Sequence, residues 1–115
     1  ICGEFDIQES GPWTDFGSSG TIHGNYAGTT NDWNGGGGFS TNVPYNRSQL
    51  SSGYHVYGLQ WTPTTIDFTL DGVIYKSFTK AQVLRDGGTW PFDVPEFMVF
   101  SIYPYQQILP EELFQ

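Results

Sequence analysis

The chain has few basic residues and almost no cysteine. Four Lys or Arg stand against twelve Asp or Glu in its 115 residues, which gives a formal net charge of −8. Nucleic acids and anionic membranes bind to basic surfaces, so this balance argues against both as partners. Cys2 is the single cysteine, so no disulfide can form within the chain, and cysteine usage does not indicate a cellular compartment.

Long hydrophobic runs, an initiator methionine and a signal peptide are also missing from the sequence. No stretch is apolar over the roughly 20 residues that a membrane-spanning helix needs. The sequence begins at Ile1, directly before the stretch that holds its best candidates for chemistry. We therefore expect a piece of a longer protein.

Glycine, proline and aromatic residues are abundant. The 15 Gly and 7 Pro, without long helical periodicity, predict an all-β domain with many turns. Aromatic residues make up 17% of the chain, which is enough for a core and for a groove that stacks sugar rings. Because sugar hydroxyls also hydrogen-bond to carboxylates, an acidic, aromatic-rich surface favours a neutral polysaccharide as the ligand.

Turn residues divide the chain into short segments. Strands are predicted at 2–9, 20–26, 54–61, 66–70, 73–78 and 96–102, with short strand pieces near Phe39 or Val43 and one helical turn at 80–85. Asp71-Gly72 predicts a two-residue hairpin turn. The strand at 54–61 has apolar residues on both faces, which predicts burial between two layers. Four glycines at 35–38 are not followed by Lys-Ser/Thr, so we expect no phosphate-binding loop there.

Three carboxylates lie close together near the start of the chain. Residues 2–9 read CGEFDIQE, in which apolar and polar positions alternate as in a half-buried strand. Glu4 and Asp6 share the polar face, whereas an offset of five from Glu4 turns Glu9 to the other face of a regular strand. One extra residue, a β-bulge, would bring Glu9 back beside the other two.

Such a cluster suits retaining glycosidases, which need two carboxyl groups about 5–5.5 Å apart, one as nucleophile and one as proton donor. The alternative is an amphipathic strand whose carboxylates are only solvated. Two other residues could join the site. His23, on the second strand, could meet Glu9 across an antiparallel ladder, or it could be a structural hydrogen-bond partner. Trp13 could be a platform for a sugar ring, or it could cover the strand end.

With these segments in order, the chain resembles the family 16 glycoside hydrolases, in particular the laminarinase-like group of β-glucan-cleaving enzymes. Four landmarks carry the resemblance: the Glu-x-Asp-x-x-Glu strand at 4–9, the TIHG stretch at 21–24, the strand-turn-strand at 54–72, and WPFD at 90–93 followed by the apolar strand to residue 102. The resemblance implies a concanavalin-like β-jelly-roll sandwich of antiparallel sheets, present here as an incomplete fragment.

The resemblance also implies roles for individual residues. Glu4 would be the nucleophile and Glu9 the general acid and base, with Asp6 between them and hydrogen-bonded to Glu4. Because three carboxylates in one patch cannot all ionise at neutral pH, the pKa of Glu9 should be raised. His23 would bind near the acid/base or the sugar beyond the cleaved bond. Trp13 would be a substrate platform, although no motif supports it.

The chain departs from the family at both ends. Residues 1–102 are expected to be a partial catalytic domain, and residues 103–115 an atypical tail. The first half of the family domain is missing, with its sugar-stacking tryptophans and its usual calcium-binding region. We therefore expect impaired activity of this piece alone. No cofactor is required and no metal ligand is predicted, although structural calcium could bind the full-length domain.

The implied function is retaining endo-hydrolysis of β-1,3-glucan of the laminarin type by a secreted, monomeric enzyme. Relatives with the same motif act on mixed-linkage glucan or on galactans such as agarose and carrageenan. Sulfated substrates call for basic residues, which are scarce here, so a neutral glucan is favoured. A non-catalytic β-glucan-binding domain of the same fold is the main alternative, and the presence of both Glu4 and Glu9 argues against it. An unrelated lectin or adhesion sandwich predicts no convergence of the three carboxylates.

Overall fold

The structure, a computed structural model, describes residues 3–11, 17–29 and 39–102. The strands in this part of the chain are β1 (Glu4–Glu9), β2 (Ser19–His23), β3 (Ser40–Asn42), β4 (Tyr57–Trp61), β5 (Thr65–Leu70) and β6 (Val73–Thr79). Two short helices accompany them, α1 (Arg47–Leu50) and α2 (Lys80–Arg85). The strands form two antiparallel sheets of three strands, in the orders β1-β2-β3 and β4-β5-β6.

The hairpin between β5 and β6 forms as predicted. Asp71 and Gly72 have φ angles of 51° and 82°, so both lie in the left-handed region that a type I′ turn requires at its two central positions. Leu70 and Val73 close the ladder on either side of the turn. Asp tolerates the left-handed conformation better than most side chains, which is why Asp-Gly predicts this turn so well.

The core lies between the two sheets and is largely aromatic. Phe78 makes edge contacts with Phe68 at 6.0 Å and with Phe39 at 5.7 Å between ring centroids, so it joins β6 to β5 and to the entry of β3. The buried apolar side chains of this cluster are Ile22, Phe39, Ile66, Phe68, Phe78, Val83, Trp90 and Phe92. Burying each contributes about 1.5–3 kcal/mol. The predicted all-β sandwich of antiparallel sheets, the jelly-roll class, is confirmed.

Both helices begin with a capping box. Thr79 caps α2, and its side chain and that of Gln82 each bond to the other's backbone N–H. The predicted helical turn at 80–85 is therefore confirmed, with the physical signal in the Thr-x-x-Gln spacing. Asn46 and Gln49 cap α1 in the same way, although no helix was predicted there. Among the described residues, no helix is long and apolar enough to cross a membrane.

The strand predicted at 54–61 is shorter and less buried than expected. β4 begins at Tyr57, because the backbone of Val56 is taken by the hairpin turn: its N–H donates to Asp71 Oδ1 and its carbonyl accepts from the Asp71 N–H, both at 2.9 Å. The side chains of β4 are half-buried or exposed, so the prediction of burial between two layers is wrong.

The prediction of a strand at 96–102 is also wrong. None of these residues is in a strand, and the side chains of Phe97 and Phe100 are 84% and 90% exposed. An apolar run is typical of a strand buried on both faces, which needs a neighbouring strand and a layer on each side. The described part of the chain supplies neither for these residues.

Candidate active site

The acidic strand β1 contains the predicted bulge. Asp6 lies opposite Thr21 of β2, but Glu9, three residues later, lies opposite Ser19, which is only two residues away. Ile7 and Gln8 together therefore oppose Gly20. Two residues facing one is the defining geometry of a β-bulge, and it shifts the alternation of side chains by one position.

Cross-strand pairing fixes which side chains share a face, because directly opposed residues point to the same side of a sheet. Glu4 pairs with His23, Asp6 with Thr21 and Glu9 with Ser19. The three partners on β2 are two residues apart and therefore share one face. We call the face that carries Glu4, Asp6 and Glu9 the acidic face. The bulge thus turns all three carboxylates to the same side of the sheet.

A hydrogen bond across the acidic face holds Asp6. His23 Nε2–H donates to Asp6 Oδ2 at 2.8 Å, with the two side chains 29% and 15% exposed. The expected cross-strand pairing of His23 with Glu9 is wrong, because the residue opposite His23 is Glu4. The expected hydrogen bond from Asp6 to Glu4 is also replaced: among the described residues, the bond of Asp6 goes to His23. The His23 imidazole next to the carboxylates thus orients the middle one.

The fold raises the proton affinity of Glu9. Partial burial raises the pKa of Glu9, the negative charge of Asp6 raises it further, His23 opposes this shift, and Glu4 adds a smaller increase. Glu4 itself is exposed at the start of the strand. The predicted rise in the pKa of Glu9 is confirmed, and its leading physical cause is desolvation rather than charge crowding alone.

The other face of the same sheet packs against aromatic side chains. Phe5, which alternates with the acids, stacks on Phe92 at 4.5 Å and contacts Trp61 at 5.5 Å between ring centroids. The indole N–H of Trp61 in turn donates to the Phe92 carbonyl at 2.9 Å. Gly3, just before the strand, leaves room for the Phe92 ring, because a Cβ there would collide with that ring. These contacts pack β1 against aromatic side chains, so the strand that carries the three acids is held in place.

Several polar side chains of the acidic face had not been singled out from the sequence. Thr21 is almost fully buried, and its Oγ1 lies 3.1 Å from Ser40 Oγ on β3. Ser40 pairs with Thr21, and Asn42 pairs with Ser19, so both project from the acidic face and both are exposed. The short strand predicted near Phe39 or Val43 forms as β3 (Ser40–Asn42). The alternation of polar residues at 19, 21 and 23 and at 40 and 42 could have revealed these side chains once β3 is paired with β2.

Trp13, Cys2 and the tail at 103–115 lie outside the described residues. Within the described ranges, no group of three or more His, Cys, Asp or Glu side chains is arranged to hold a metal ion.

Comparison with known proteins shows the family to which the chain belongs. Residues 5–111 match the family described as glycosyl hydrolases family 16, so the match runs past residue 102 into the segment set apart as a tail. A beta-glucanase of Rhodothermus marinus is 32% identical over 68 residues, which are 56% of this chain and 22% of that protein. The chain thus spans about a fifth of the length of that relative. No solved structure matches. Since the family match covers most of the chain, the chain belongs to glycosyl hydrolase family 16.

Proposed function

We propose that this chain carries the catalytic carboxylates of a retaining glycoside hydrolase that cleaves β-glucan. The observation that supports this most directly is the bulge in β1, which turns Glu4, Asp6 and Glu9 to one face of the sheet. A merely solvated strand gains nothing from that irregularity. Family membership and the similarity to a beta-glucanase point to the same chemistry.

In the proposed first step, a carboxylate oxygen of Glu4 attacks the anomeric carbon. The bond to the leaving sugar breaks, and Glu9 gives its proton to the departing oxygen. In the second step, Glu9 takes a proton from a water molecule, the water oxygen attacks the same carbon, and Glu4 is released. Two displacements at one carbon retain its configuration.

The electrostatics favour this assignment of the two glutamates over the reverse. A general acid must keep its proton near neutral pH, and burial and the charge of Asp6 raise the pKa of Glu9. Glu4 is exposed, which suits a carboxylate that must be ionised to attack. When Glu4 becomes an ester, its negative charge disappears, so one of the causes that raise the pKa of Glu9 is removed. That change would help Glu9 to serve as the base in the second step.

Asp6 and His23 are proposed to position and tune the pair. The 2.8 Å hydrogen bond fixes the direction of the Asp6 carboxylate. After partial burial, the charge of Asp6 is the next cause that raises the pKa of Glu9. His23 thus acts through Asp6, and we also propose that it contacts the substrate, as expected from the sequence. Trp13 remains a proposed sugar platform.

We propose laminarin-type β-1,3-glucan as the substrate, cut within the chain by a monomeric protein that acts outside the cell. Four basic residues against twelve acidic ones favour a neutral polymer over a sulfated galactan. Mixed-linkage glucan is the nearest alternative, because the same carboxylates would serve it. The test is a panel of the three polymers, scored by the reducing ends that each releases.

The decisive variant is Glu4→Gln, which keeps the shape of the side chain and removes the attacking oxygen anion. We expect the release of reducing ends from laminarin to fall to background. Glu9→Ala should lower the rate about 10²–10⁴-fold on laminarin, but much less on an aryl glucoside whose leaving group needs no proton. Asp67→Asn is the matched control, since Asp67 is a carboxylate on β5 of the other sheet.

A non-catalytic β-glucan-binding domain is the alternative that this experiment separates. It predicts that the unmodified protein binds laminarin and releases no reducing ends, and that Glu4→Gln changes nothing. Hydrolysis that survives Glu4→Gln would refute the proposed nucleophile.

A further inference from the structure

The acidic face continues beyond the carboxylates onto the edge strand β3. Ser40 lies in the same row as Asp6 and Thr21, and Asn42 in the same row as Glu9 and Ser19. Adjacent strands are about 4.8 Å apart, so each β3 residue is roughly 10 Å from the acid in its row. At that separation Ser40 and Asn42 cannot touch the reacting atoms, but they lie on the same exposed surface.

The backbone of β3 is held firmly on both sides of this pair. The Ile22 N–H donates to the Phe39 carbonyl, and the Val43 N–H donates to the Ser18 carbonyl, both at 3.1 Å. Phe39 and Val43 are 7% and 2% exposed, so each end of the strand is anchored in the core. A binding residue on such a strand loses little freedom when a ligand arrives, which favours affinity.

The chemistry of the two exposed residues suits an uncharged sugar. A hydroxyl donates and accepts hydrogen bonds, and a carboxamide offers two N–H donors and one carbonyl acceptor. Sugar hydroxyls require this mixture. The Thr21 and Ser40 hydroxyls are 3.1 Å apart, so the direction of Ser40 is already set by its neighbour. Neither residue carries a charge, so a neutral polymer avoids the cost of desolvating an ion.

We propose that Ser40 and Asn42 form a binding subsite for a sugar unit beyond the two that flank the cleaved bond, and that this subsite determines the preference for long glucan chains over short ones. The inference rests on the proposed function, because the acidic face must bind glycan for the subsite to have a ligand. It adds a site that lies two strands away from the reacting carboxylates.

The experiment compares laminarin with the shortest laminari-oligosaccharide that the protein cleaves. For the double variant Ser40→Ala/Asn42→Ala, the ratio of kcat/KM on laminarin to kcat/KM on the oligosaccharide should fall about 10-fold, since two hydrogen bonds to an uncharged ligand are lost. Asn42→Ala alone should lower the ratio about threefold. Ser77→Ala is the matched control, because Ser77 is an exposed serine on the edge strand of the other sheet.

Binding is measured in parallel in the Glu4→Gln background, where no hydrolysis is expected. Affinity electrophoresis in laminarin should show a dissociation constant about 10-fold higher when Ser40 and Asn42 are both replaced. An unchanged affinity and an unchanged kcat/KM ratio would overturn the subsite, even if Glu4→Gln abolishes hydrolysis as proposed. Conversely, weakened binding in a protein that never releases reducing ends would support the subsite and refute the hydrolase.

A loss of stability in the variants would also lower the kcat/KM ratio, so it must be distinguished from a loss of the subsite. Ser40 bonds to buried Thr21, so its replacement could loosen β3, whereas the Asn42 side chain is exposed. Thermal unfolding of Asn42→Ala should match that of the unmodified protein. If the kcat/KM ratio falls only in variants that also unfold earlier, the subsite is refuted.

Discussion

Replacing Gly20 by Ala should destabilise the protein and disturb the acidic face from beneath. Gly20 is buried in β2, opposite the bulge, on the side that faces the second sheet. An added Cβ would lie 2.7 Å from Cδ1 and 2.9 Å from Cε1 of Phe68, and 2.9 Å from the Tyr75 hydroxyl oxygen. Non-bonded carbon atoms in a protein core are about 3.5–4.0 Å apart, so the distances from this Cβ to the Phe68 ring would be roughly 1 Å too short.

The size of the destabilisation depends on which atoms can move to make room for the added Cβ. Phe68 is completely buried and in edge contact with Phe78, so its ring cannot retreat without disturbing the core. The alternative is that β2 lifts away from the second sheet. Overpacking of this kind costs about 1–3 kcal/mol, and two contacts with a fixed ring place Gly20→Ala near 2 kcal/mol. For a chain of this size, that is a fall in the melting temperature of about 8 °C.

Urea denaturation followed by tryptophan fluorescence measures the effect, with Gly53→Ala as the control. A Cβ at Gly53 would meet no atom within 4 Å, so its replacement should leave the denaturation midpoint unchanged or slightly raised. Combining Gly20→Ala with Tyr75→Phe should recover part of the loss, because one of the three close contacts disappears. A Gly20→Ala protein as stable as the Gly53→Ala protein would refute the packing argument.

Two other predictions concern Tyr75 and the pair formed by His55 and Asp71. Tyr75→Phe should raise stability by up to about 1 kcal/mol in urea denaturation, because the Tyr75 hydroxyl is buried and has no hydrogen-bond partner among the described residues; burial also raises the pKa of Tyr75 to about 12. The pair His55–Asp71 should make stability depend on pH. The hydrogen bond to Asp71 raises the pKa of His55, and the Val56 N–H lowers that of Asp71. Stability should therefore fall as pH rises through the raised pKa of His55, and again as pH falls through the lowered pKa of Asp71. Asp71→Asn should flatten both limbs of a plot of urea midpoint against pH, and limbs that persist would rule out this pair as their source.

The geometry at His55 explains why this pair is sensitive. Its Nδ1–H donates to Asp71 Oδ2 at 2.8 Å and its Nε2–H donates to the Gln49 carbonyl at 3.2 Å. A neutral imidazole has one N–H, so both bonds together require the charged form. The ring thus ties the end of α1 to the β5–β6 hairpin only while it is protonated.

Local patterns predicted the parts of the fold whose partners are close in sequence. The hairpin at Asp71-Gly72 and the helix after Thr79 each depend on a few neighbouring residues, and both formed as expected. The bulge in β1 was also predictable, because the chemistry of three acids in the pattern Glu-x-Asp-x-x-Glu makes sense only if one residue is extra. In each case the determining interaction spans a few positions.

Two features that depend on distant partners were not predicted correctly. Which residue lies opposite His23 depends on the register of β1 against β2, and periodicity alone does not set register. The apolar run at 96–102 shows the same difficulty in another form. Its pattern indicates that burial is favourable, but a strand also needs a neighbour to accept its backbone hydrogen bonds. Hydrophobicity is a property of the segment, whereas pairing is a property of its surroundings.

The bulge itself can be tested by changing the number of residues rather than their identity. Ile7 and Gln8 together oppose Gly20, so deleting Gln8 alone leaves Glu9 opposite Ser19 and on the acidic face. Deleting both residues moves Glu9 opposite Gly20, where its carboxylate would point into the core. We expect the single deletion to lower laminarin hydrolysis about 10²-fold, because the removed twist displaces the acids by an ångström or so.

The double deletion should abolish hydrolysis and lower stability by several kcal/mol, since an unpaired carboxylate would be buried against the aromatic core. Gln8→Ala, which keeps the residue count, is the control and should retain activity. The informative result is which deletion is more damaging. In a regular strand, deleting one residue would turn Glu9 to the other face and deleting two would not, so the single deletion would be the worse one. The bulge predicts the opposite order. Equal damage from the single and the double deletion would refute the argument that the bulge determines the face on which Glu9 lies.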